Sequence, residues 1–360
     1  MWPYWIMFVA PASVALVVER ENMRTRLEPW RALGPGLGLY ATITFLLTGL
    51  RFKVGGDWYN YLGYFEAARY TDFETALSQP RELGYYVLNS LSASFGWDIV
   101  GVNLVCAAAF FIGLVALCRQ SPRPWLAIAV ATPYLVIVVA MGYSRQSVAL
   151  GFAMLGYVAL ARGSALRFVV WVLIGAAFHR TALVLLPIAV LASVKNRVWT
   201  MAWLSVVGVV AYRLALEPEL DRMYQSYVGG EIQSSGALIR LLMNAAPAVL
   251  LLTLRGRIGL QPVEEKLWLW ISLISIGLLV VYFVQPSAST AIDRVALYFL
   301  PIQVVVLSRL PDCFETPTIG GAKFVVGLVL VCYATALYVW LNFAAYAYAW
   351  TQYQFYPLSG

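Results

Sequence analysis

Long apolar runs constrain this chain more than any other feature of its sequence. A helix rises about 1.5 Å per residue, so about 20 residues cross the roughly 30 Å of hydrocarbon in a bilayer. The pattern predicts an all-α polytopic integral membrane protein. Nine runs are clear candidates for crossings: Trp2 to Val18, Pro35 to Leu50, Ile99 to Leu117, Trp125 to Met141, Val198 to Leu216, Ala237 to Leu254, Leu267 to Val284, Ala291 to Ser308 and Phe324 to Phe343.

Three shorter runs complete the set: Gln146 to Ala161, Phe168 to Phe178 and Thr181 to Ser193. Only His179 and Arg180 separate the last two runs. They form either two crossings or one hairpin that turns inside the membrane, where buried backbone is tolerated. With each run counted once, the sequence predicts about twelve transmembrane helices in a single domain, residues 1–360.

The composition excludes most other classes of protein. Apolar residues make up 61% of the chain and charged residues 12%, whereas soluble domains have roughly 45–50% and 25%. The four cysteines have neither paired nor metal-ligand spacing, so neither a disulfide framework nor a metal site is expected.

The distribution of Lys and Arg orients the predicted helices. With the N-terminus outside, alternate short loops hold 15 of the 25 Lys and Arg residues but only seven of the 18 acids, so those loops are cytoplasmic. Topology thus accounts for the formal charge of +7, and no nucleic-acid partner is expected. Both termini then lie on the outer face, and the first run is a retained span rather than a signal peptide.

Two long polar segments lie on the outer face, residues 51–98 and 217–236, and both are predicted to contain interfacial helices. The first begins with RFKVGGDWYNY, in which two glycines allow a sharp turn that brings a carboxylate and an amide near two cations. A membrane-interface belt is the simpler interpretation for Trp58, Tyr59 and Tyr61. Asp57 is more readily explained by a function, because an acid gains nothing at an anionic lipid surface.

Three further polar clusters interrupt the apolar runs: Tyr143 to Gln146, His179 with Arg180, and Asp293 with Arg294. An arginine in a turn on the outer face is an exception to the enrichment of Lys and Arg in cytoplasmic loops. Ionisable groups at membrane depth also tend to mark a function. His179 is the single histidine, and a structural role and a catalytic role fit the sequence equally well. Asp293 and Arg294 either neutralise one another or contribute to a site.

The clusters together supply up to five cations to one outer cavity: Arg51, Lys53, Arg145, Arg180 and Arg294. Guanidinium groups bind phosphate oxygens in bidentate fashion, so such a cavity suits a diphosphate without a divalent cation. The sequence contains no Walker loop, dinucleotide-binding glycine pattern or nucleophile elbow, so no cofactor is expected.

Three motifs follow one another in a fixed order: RFKVGGDWYNY from Arg51, YSRQS from Tyr143 and AFHRTALVLLP from Ala177. The set resembles the EpsG family of bacterial polysaccharide polymerases, which are Wzy-like. Arg294 to Pro301 and the aromatic C-terminal tail are similar too. Family members often have Thr at the position of Gly56.

The resemblance implies an inverting glycosyl transfer at the periplasmic face of a bacterial inner membrane. A growing glycan on undecaprenyl diphosphate is transferred to a sugar hydroxyl of the next lipid-linked repeat unit. The partners that this implies are the undecaprenyl-diphosphate-linked oligosaccharide and membrane lipid, and a flippase and a chain-length regulator are further candidates.

The predicted site residues fit the demands of that reaction. Cations stabilise the charge that grows on the leaving diphosphate, and this role is assigned to Arg51, Arg145, Arg180 and Arg294. Asn60 and Gln146 orient the diphosphate or the sugar, and aromatic faces stack on sugar rings, with Trp58, Tyr59, Tyr61 and Tyr143 as candidates. The acceptor hydroxyl needs a base. Asp57 and His179 are both candidates, and His179 is preferred because histidine titrates near neutral pH.

Other activities remain alternatives at this point. A ligase that transfers finished glycan to another acceptor needs the same cations and base. A flippase for the lipid-linked oligosaccharide is expected to show an internal repeat with interrupted helices in both halves, which the sequence does not show. A membrane acyltransferase needs a route for a cytoplasmic acyl donor, and the predicted inner loops are short.

Overall fold

The structure of the protein is a computed structural model, and it describes residues 1–18, 34–71, 82–192, 201–202, 205–206, 209, 236–314 and 321–359. Most of the predicted run Val198 to Leu216 lies outside the described residues. The same is true of nearly all of the outer segment 217–236 and of residues 72–81 in the outer segment 51–98.

The described residues are almost entirely helical, as the apolar runs predict. The α-helices are α1 (Trp2–Val17), α2 (Pro35–Gly49), α3 (Trp58–Arg69), α4 (Leu83–Ser94), α5 (Asp98–Cys118), α6 (Pro124–Ala131), α7 (Ser144–Ala161), α8 (Ala165–Phe178), α9 (Leu186–Ala192), α10 (Ala237–Thr253), α11 (Pro262–Val284), α12 (Ser289–Ala296), α13 (Pro301–Leu307), α14 (Gly321–Phe343) and α15 (Tyr348–Thr351). Two short strands, β1 (Arg51–Phe52) and β2 (Gln354–Phe355), pair antiparallel, with Arg51 opposite Phe355.

Among the described residues, three helices are individually long and apolar enough to cross a membrane: α5, α11 and α14. A fourth candidate is a pair of helical segments, 286–299 and 301–314, that bends by 42° at a short break. Six further apolar helices are shorter, with 10 to 17 residues each. The chain is therefore an all-α membrane protein, and twelve crossings with both termini outside stay a prediction.

Three predicted runs are not continuous α-helices. The run Trp125 to Met141 continues from α6 into a π-helix, Thr132–Ala140. The run Ala291 to Ser308 breaks before Pro301, whose ring nitrogen has no proton to donate to the preceding turn. The run Thr181 to Ser193 starts as a 3-10 helix, Arg180–Leu185, which follows the extended backbone of His179 (φ −154°, ψ 109°).

Three hydrophobic clusters lie among the described residues. The smallest joins α10 to α12 through Leu241, Ile292 and Ala296, and the other two are more extensive. The larger one contains residues from most of the helices, including α1, α6, α7, α13 and α14. The smaller one packs α3 and α4 against α5 and α7 through Trp58, Tyr61, Phe65, Tyr85 and Ile99. Since α7 contacts both α5 and α8, its first turn lies between the segments that carry the predicted site residues.

The bundle has two polar ends. We call one end the site face, defined by Arg51, Glu82, Arg145, His179 and Arg294. The other end, the opposite face, contains Arg123, Glu264, Arg309 and Asp312, which contact one another through ion pairs.

The C-terminal tail covers part of the site face. The Trp350 indole donates to the Ile137 carbonyl of the π-helix at 2.8 Å, and the Tyr4 hydroxyl donates to the Trp350 carbonyl at 2.8 Å. The Tyr353 hydroxyl donates to the Leu47 carbonyl at 2.7 Å. With the β1–β2 pair, these bonds join the tail to α1, α2 and the loop that begins at Arg51.

Candidate functional site

A carboxylate that the sequence analysis did not select lies at the centre of the site. His179 Nδ1 donates to Glu82 Oε1 at 2.5 Å, and the Arg145 guanidinium donates to Glu82 Oε2 at 2.6 Å. The side chains of His179 and Glu82 are 11% and 13% exposed, and that of Arg145 is 28% exposed. One buried carboxylate thus joins the preferred base to a predicted diphosphate-binding arginine.

Local backbone features bring Glu82 and His179 together. Glu82 occupies the N-cap of α4, where the helix dipole favours a negative charge. Gly84, two residues on, lies so close to α8 that a Cβ atom there would be 3.0 Å from the Ala177 carbonyl oxygen. His179 follows the last residue of α8, and its extended backbone turns the chain at the level of Glu82.

Arg145 lies at an electrostatically unfavourable place in its own helix. It is in the first turn of α7, where the dipole disfavours a cation. The Glu82 carboxylate offsets this cost. So do three aromatic rings, because the guanidinium carbon lies 4.9 Å from the ring centroid of Tyr64 and 5.9 Å from those of Tyr61 and Tyr85. The Glu82 carboxylate and the three rings therefore stabilise the Arg145 guanidinium at a helix position that the dipole alone would disfavour.

Arg51 lies beneath the site rather than in it. Its side chain is buried, and it donates to the Thr48 carbonyl at 2.7 Å, to Ser144 Oγ at 2.8 Å and to Asn103 Oδ1 at 3.1 Å. The bond to Ser144 ties the first turn of α7 to the start of the RFKVGGDWYNY motif. Arg51 therefore supports the residue next to Arg145 and presents little surface to a ligand.

The glycine turn of that motif is present. Gly55 has φ +108°, and a Cβ atom at this position would lie 2.5 Å from the Met141 carbonyl oxygen, so the loop packs tightly on the segment before α7. Asp57 follows as the N-cap of α3, half-buried, and accepts a hydrogen bond from Asn60 at 3.3 Å.

The aromatic residues of the motif differ in exposure. Trp58 is buried and packs edge-on against Phe52, so its ring is part of the core. Tyr59 is 73% exposed. Tyr61 is buried and contacts Arg145. Of the three, Tyr61 alone contacts the Arg145 side chain. Lys53 lies over the Phe52 ring, 5.1 Å from its centroid.

Asp293 pairs with Arg240 rather than with its neighbour Arg294. The Arg240 guanidinium donates through two nitrogens to both carboxylate oxygens of Asp293. Their side chains are 14% and 11% exposed. The interpretation that Asp293 and Arg294 neutralise one another is therefore wrong, because helix packing supplies Asp293 with a partner from α10.

Arg294 extends the site towards this second ion pair. It lies within electrostatic reach of Tyr61, Tyr143 and Tyr298. Gln146, next to Arg145 in α7, donates to the Arg294 carbonyl at 2.8 Å. Asp57 also lies within electrostatic reach of Tyr61 and Tyr143, and Glu82 lies within electrostatic reach of Tyr298. These shared neighbours bring Asp57, Glu82, Arg145 and Arg294 into one region.

Arg180 begins the 3-10 helix directly after His179 and is half-buried. The hydroxyl groups of Thr181, which follows it, and Tyr298 lie 3.2 Å apart. This contact joins the 3-10 helix to the segment that follows Arg294.

The electrostatics keep Glu82 ionised. Burial acts to raise the pKa of the Glu82 carboxyl, but the hydrogen bond and charge of His179 and the charge of Arg145 outweigh it, so the pKa lies below its ordinary value. Burial raises the pKa of Tyr61 and of Tyr85, and the nearby Arg145 only partly opposes this effect. The phenols are therefore neutral near pH 7, and a charged carboxylate accepts the proton of His179 Nδ1.

Several buried polar atoms of the site have no hydrogen-bond partner among the described residues. They include His179 Nε2, Arg145 Nε and Gln146 Oε1. Buried polar atoms are nearly always paired, so a cluster of unpaired ones indicates a place where a ligand or water supplies the missing bonds. The Nε2 atom of His179 is the nitrogen that a base would use, since Nδ1 is held by Glu82.

Sequence reasoning missed Glu82, Arg240, Tyr64 and Tyr85. Glu82 and the two tyrosines lie in the predicted outer segment 51–98, which was identified as aromatic and charged. Their role follows from packing of α3 and α4, which no local pattern reports. No group of three or more His, Cys, Asp or Glu side chains in the described part of the chain is arranged to hold a metal ion.

A comparison with known families bears on this arrangement. The sequence profile of the EpsG family matches residues 37–355, which contain every predicted site residue. The chain belongs to the EpsG family. A search of curated proteins and a search of solved structures found no match. As an EpsG-family chain with membrane-length apolar helices, it is a membrane protein of polysaccharide biosynthesis, and the family is associated with glycosyltransferase-like polymerase activity.

Proposed function

We propose that this EpsG-family protein is a polysaccharide polymerase of the Wzy-like type. Its donor is a growing glycan on undecaprenyl diphosphate, and its acceptor is a sugar hydroxyl of the next lipid-linked repeat unit. The observation that carries the proposal is the chain of contacts from His179 through Glu82 to Arg145. It combines a base and a phosphate-binding cation within one partly buried cluster.

In the proposed reaction His179 is the general base. Glu82 holds the Nδ1 proton and thereby fixes the tautomer in which Nε2 carries a lone pair. Nε2 takes the proton of the acceptor hydroxyl as that oxygen forms a bond to the anomeric carbon of the donor. The bond from this carbon to the diphosphate oxygen breaks, and its electron pair leaves with the diphosphate. A single displacement of this kind inverts the anomeric configuration.

Arginines stabilise the charge that develops on the leaving group. Arg145, Arg180 and Arg294 are the proposed diphosphate ligands, since guanidinium groups bind phosphate oxygens in bidentate fashion and no divalent cation is then required. Arg51, which sequence analysis assigned to the same role, is proposed instead to position the first turn of α7 through its bond to Ser144.

We prefer His179 to Asp57 as the base because of the contacts that each side chain makes. His179 is held by a carboxylate and keeps an unpartnered Nε2, whereas Asp57 caps α3 at the rim and already accepts from Asn60. Gln146, Asn60 and Tyr143 are proposed to orient the diphosphate or the sugar, and Tyr61 to contact a sugar ring. Trp58 packs in the core and Tyr59 faces outwards, so we propose no direct substrate contact for these two.

The proposed setting is the bacterial inner membrane, with the site face towards the periplasm. Twelve crossings in a single domain, periplasmic termini, and interfacial helices within residues 51–98 and 217–236 are parts of this proposal. The helices α3 and α4 support it, because they lie on the site face rather than in the span-length set. A flippase supplies the lipid-linked unit, and a chain-length regulator is a candidate partner.

The proposal is tested with purified protein and the undecaprenyl-diphosphate-linked repeat unit, without nucleotide and with a metal chelator present. We expect a ladder of lengthening glycans on a gel. Extension that stops in the chelator and resumes with added Mg²⁺ would contradict the metal-independent mechanism.

The same preparation distinguishes the alternatives. A single transfer to a different acceptor, with no ladder, would identify a ligase. An unextended lipid that the protein moves across a liposome bilayer would identify a flippase and overturn the proposed activity.

A further inference from the structure

Glu82 is shared by two groups that have different tasks in the proposed reaction. One oxygen accepts from His179 Nδ1 at 2.5 Å and the other from Arg145 at 2.6 Å. The side chain is 13% exposed, so water screens these charges only weakly. An anion that binds the Arg145 guanidinium therefore changes the electrostatic potential at the His179 ring.

We propose that Glu82 couples anion binding at Arg145 to the basicity of His179. In the unliganded protein the Arg145 charge offsets that of Glu82. When a diphosphate binds Arg145 it neutralises the guanidinium, so the full negative charge of Glu82 acts on the imidazole and His179 binds a proton more tightly. The inference rests on the proposed role of Arg145 as an anion ligand.

Several other charged or titratable groups of the described residues lie near Glu82 and His179. Arg180 follows His179 directly, and Arg294 lies within electrostatic reach of Tyr61 and Tyr298. Burial raises the pKa of Tyr61 and of Tyr85, so those phenols stay neutral. Among the described residues, Tyr64 lies against Arg145, the Thr181 and Tyr298 hydroxyls face each other, and Asp57 lies within electrostatic reach of Tyr61.

This coupling gives the site an order of events. In molecules with a neutral imidazole, His179 takes the acceptor proton more readily once the donor is bound, so deprotonation of the acceptor hydroxyl is favoured after donor binding. Glu82 is then a positioning residue, because it acts through His179 and touches neither reacting atom in the proposed geometry.

The chain offers a direct readout, since His179 is its single histidine. Protein labelled with ¹⁵N-histidine in lipid nanodiscs gives one pair of ring nitrogen signals, whose pH titration reports the protonation of His179 without any activity measurement. The probe is methanedisulfonate, which has the two anionic groups of a diphosphate and does not itself titrate near neutral pH. We expect saturating probe to raise the His179 pKa by about one pH unit, the effect of a newly unopposed charge at short range.

Three variants test the path of the coupling. In Glu82→Gln the His179 pKa falls and most of the response to the probe disappears. In Arg145→Gln the pKa is already raised without probe and no longer responds, which provides a test even where Glu82→Gln fails to fold. Arg180→Gln is the matched control: it weakens probe binding but keeps the full response at saturation.

Each contrary result has a separate meaning. A response of equal size in Glu82→Gln would show that the anion acts directly on His179 and would overturn the coupling. Probe binding, measured by calorimetry, with an unchanged His179 titration would overturn it too and would leave the proposed function intact. Absence of probe binding to the wild type would contradict both the anion site and the coupling.

Discussion

The two ends of the bundle both contain arginine–carboxylate pairs that are largely shielded from solvent, but the pairs differ in their hydrogen bonding. On the opposite face the buried Arg309 donates to Glu264 at 2.8 Å, to the Gln120 carbonyl at 2.7 Å and to the Val305 carbonyl at 3.1 Å. Arg123 pairs with Asp312 nearby. On the site face, His179 Nε2 and Arg145 Nε have no hydrogen-bond partner among the described residues.

The difference separates a structural ion network from a binding site. A network that holds helices together is most stable when each polar atom is paired within the protein. A site that receives a charged ligand keeps polar atoms unpaired, and the ligand satisfies them. By this criterion the opposite face stabilises the bundle, and the site face has the unpaired polar atoms that the proposed substrate site requires.

The largest expected effect concerns the base. His179→Gln keeps hydrogen-bonding capacity but cannot take a proton, so the rate of glycan extension is expected to fall by about 10²–10⁴. Asp57→Asn is the matched control and should retain most of the rate. The ladder assay at constant protein concentration measures both variants. Normal extension by His179→Gln together with loss in Asp57→Asn would transfer the role of base to Asp57.

A pair of arginine variants tests the contrast between the two faces. Arg145→Ala is expected to lower the extension rate by about 10²–10³, because one stabilising group for the leaving charge is removed. Arg309→Ala is expected to destabilise the protein by about 3 kcal/mol, since it removes a buried side chain that joins three segments and leaves the half-buried Glu264 without its partner. Thermal unfolding and the rate per folded molecule measure the two effects.

In that experiment the folded fraction of Arg309→Ala should extend glycan at the wild-type rate. The comparison between the faces fails if Arg309→Ala lowers the rate per folded molecule as much as Arg145→Ala does.

The smallest expected effect concerns the tail that covers the site face. Trp350→Phe keeps an aromatic ring but removes the indole N–H that donates to the Ile137 carbonyl at 2.8 Å. The loss of one hydrogen bond is expected to cost about 1 kcal/mol in the free energy of unfolding. Thermal unfolding checks this value. A loss of extension as large as that of Arg145→Ala would instead place the tail within the site.

Much of the molecule was predictable from local sequence. Hydropathy located the helices to within a few residues, as in α1, α2 and α10, because burial in lipid requires an unbroken apolar run. The glycine turn at Gly55 was also predictable, since a φ of +108° is open mainly to glycine. The break before Pro301 and the π-helix were not, because an apolar run does not reveal how its backbone bonds are arranged.

The site was predictable only in part. The motifs selected His179, Arg145 and Arg294, which the fold brings into one region. They also selected Arg51, whose burial beneath the site depends on how β1 and α7 meet. They missed Glu82, because nothing in its neighbourhood in the sequence distinguishes it from other acids of an interfacial segment.

What the sequence alone determined is the class of the protein, its helices, its family and the set of charged groups available at the site. What the tertiary structure decided is which charges meet. Glu82 and Arg145 are 63 residues apart in sequence, Glu82 and His179 are 97 apart, and Arg240 and Asp293 are 53 apart. The physical reason is that the hydropathy of a segment depends on that segment alone and predicts a single helix. Ion pairs form between helices, and they depend on packing that no single segment specifies.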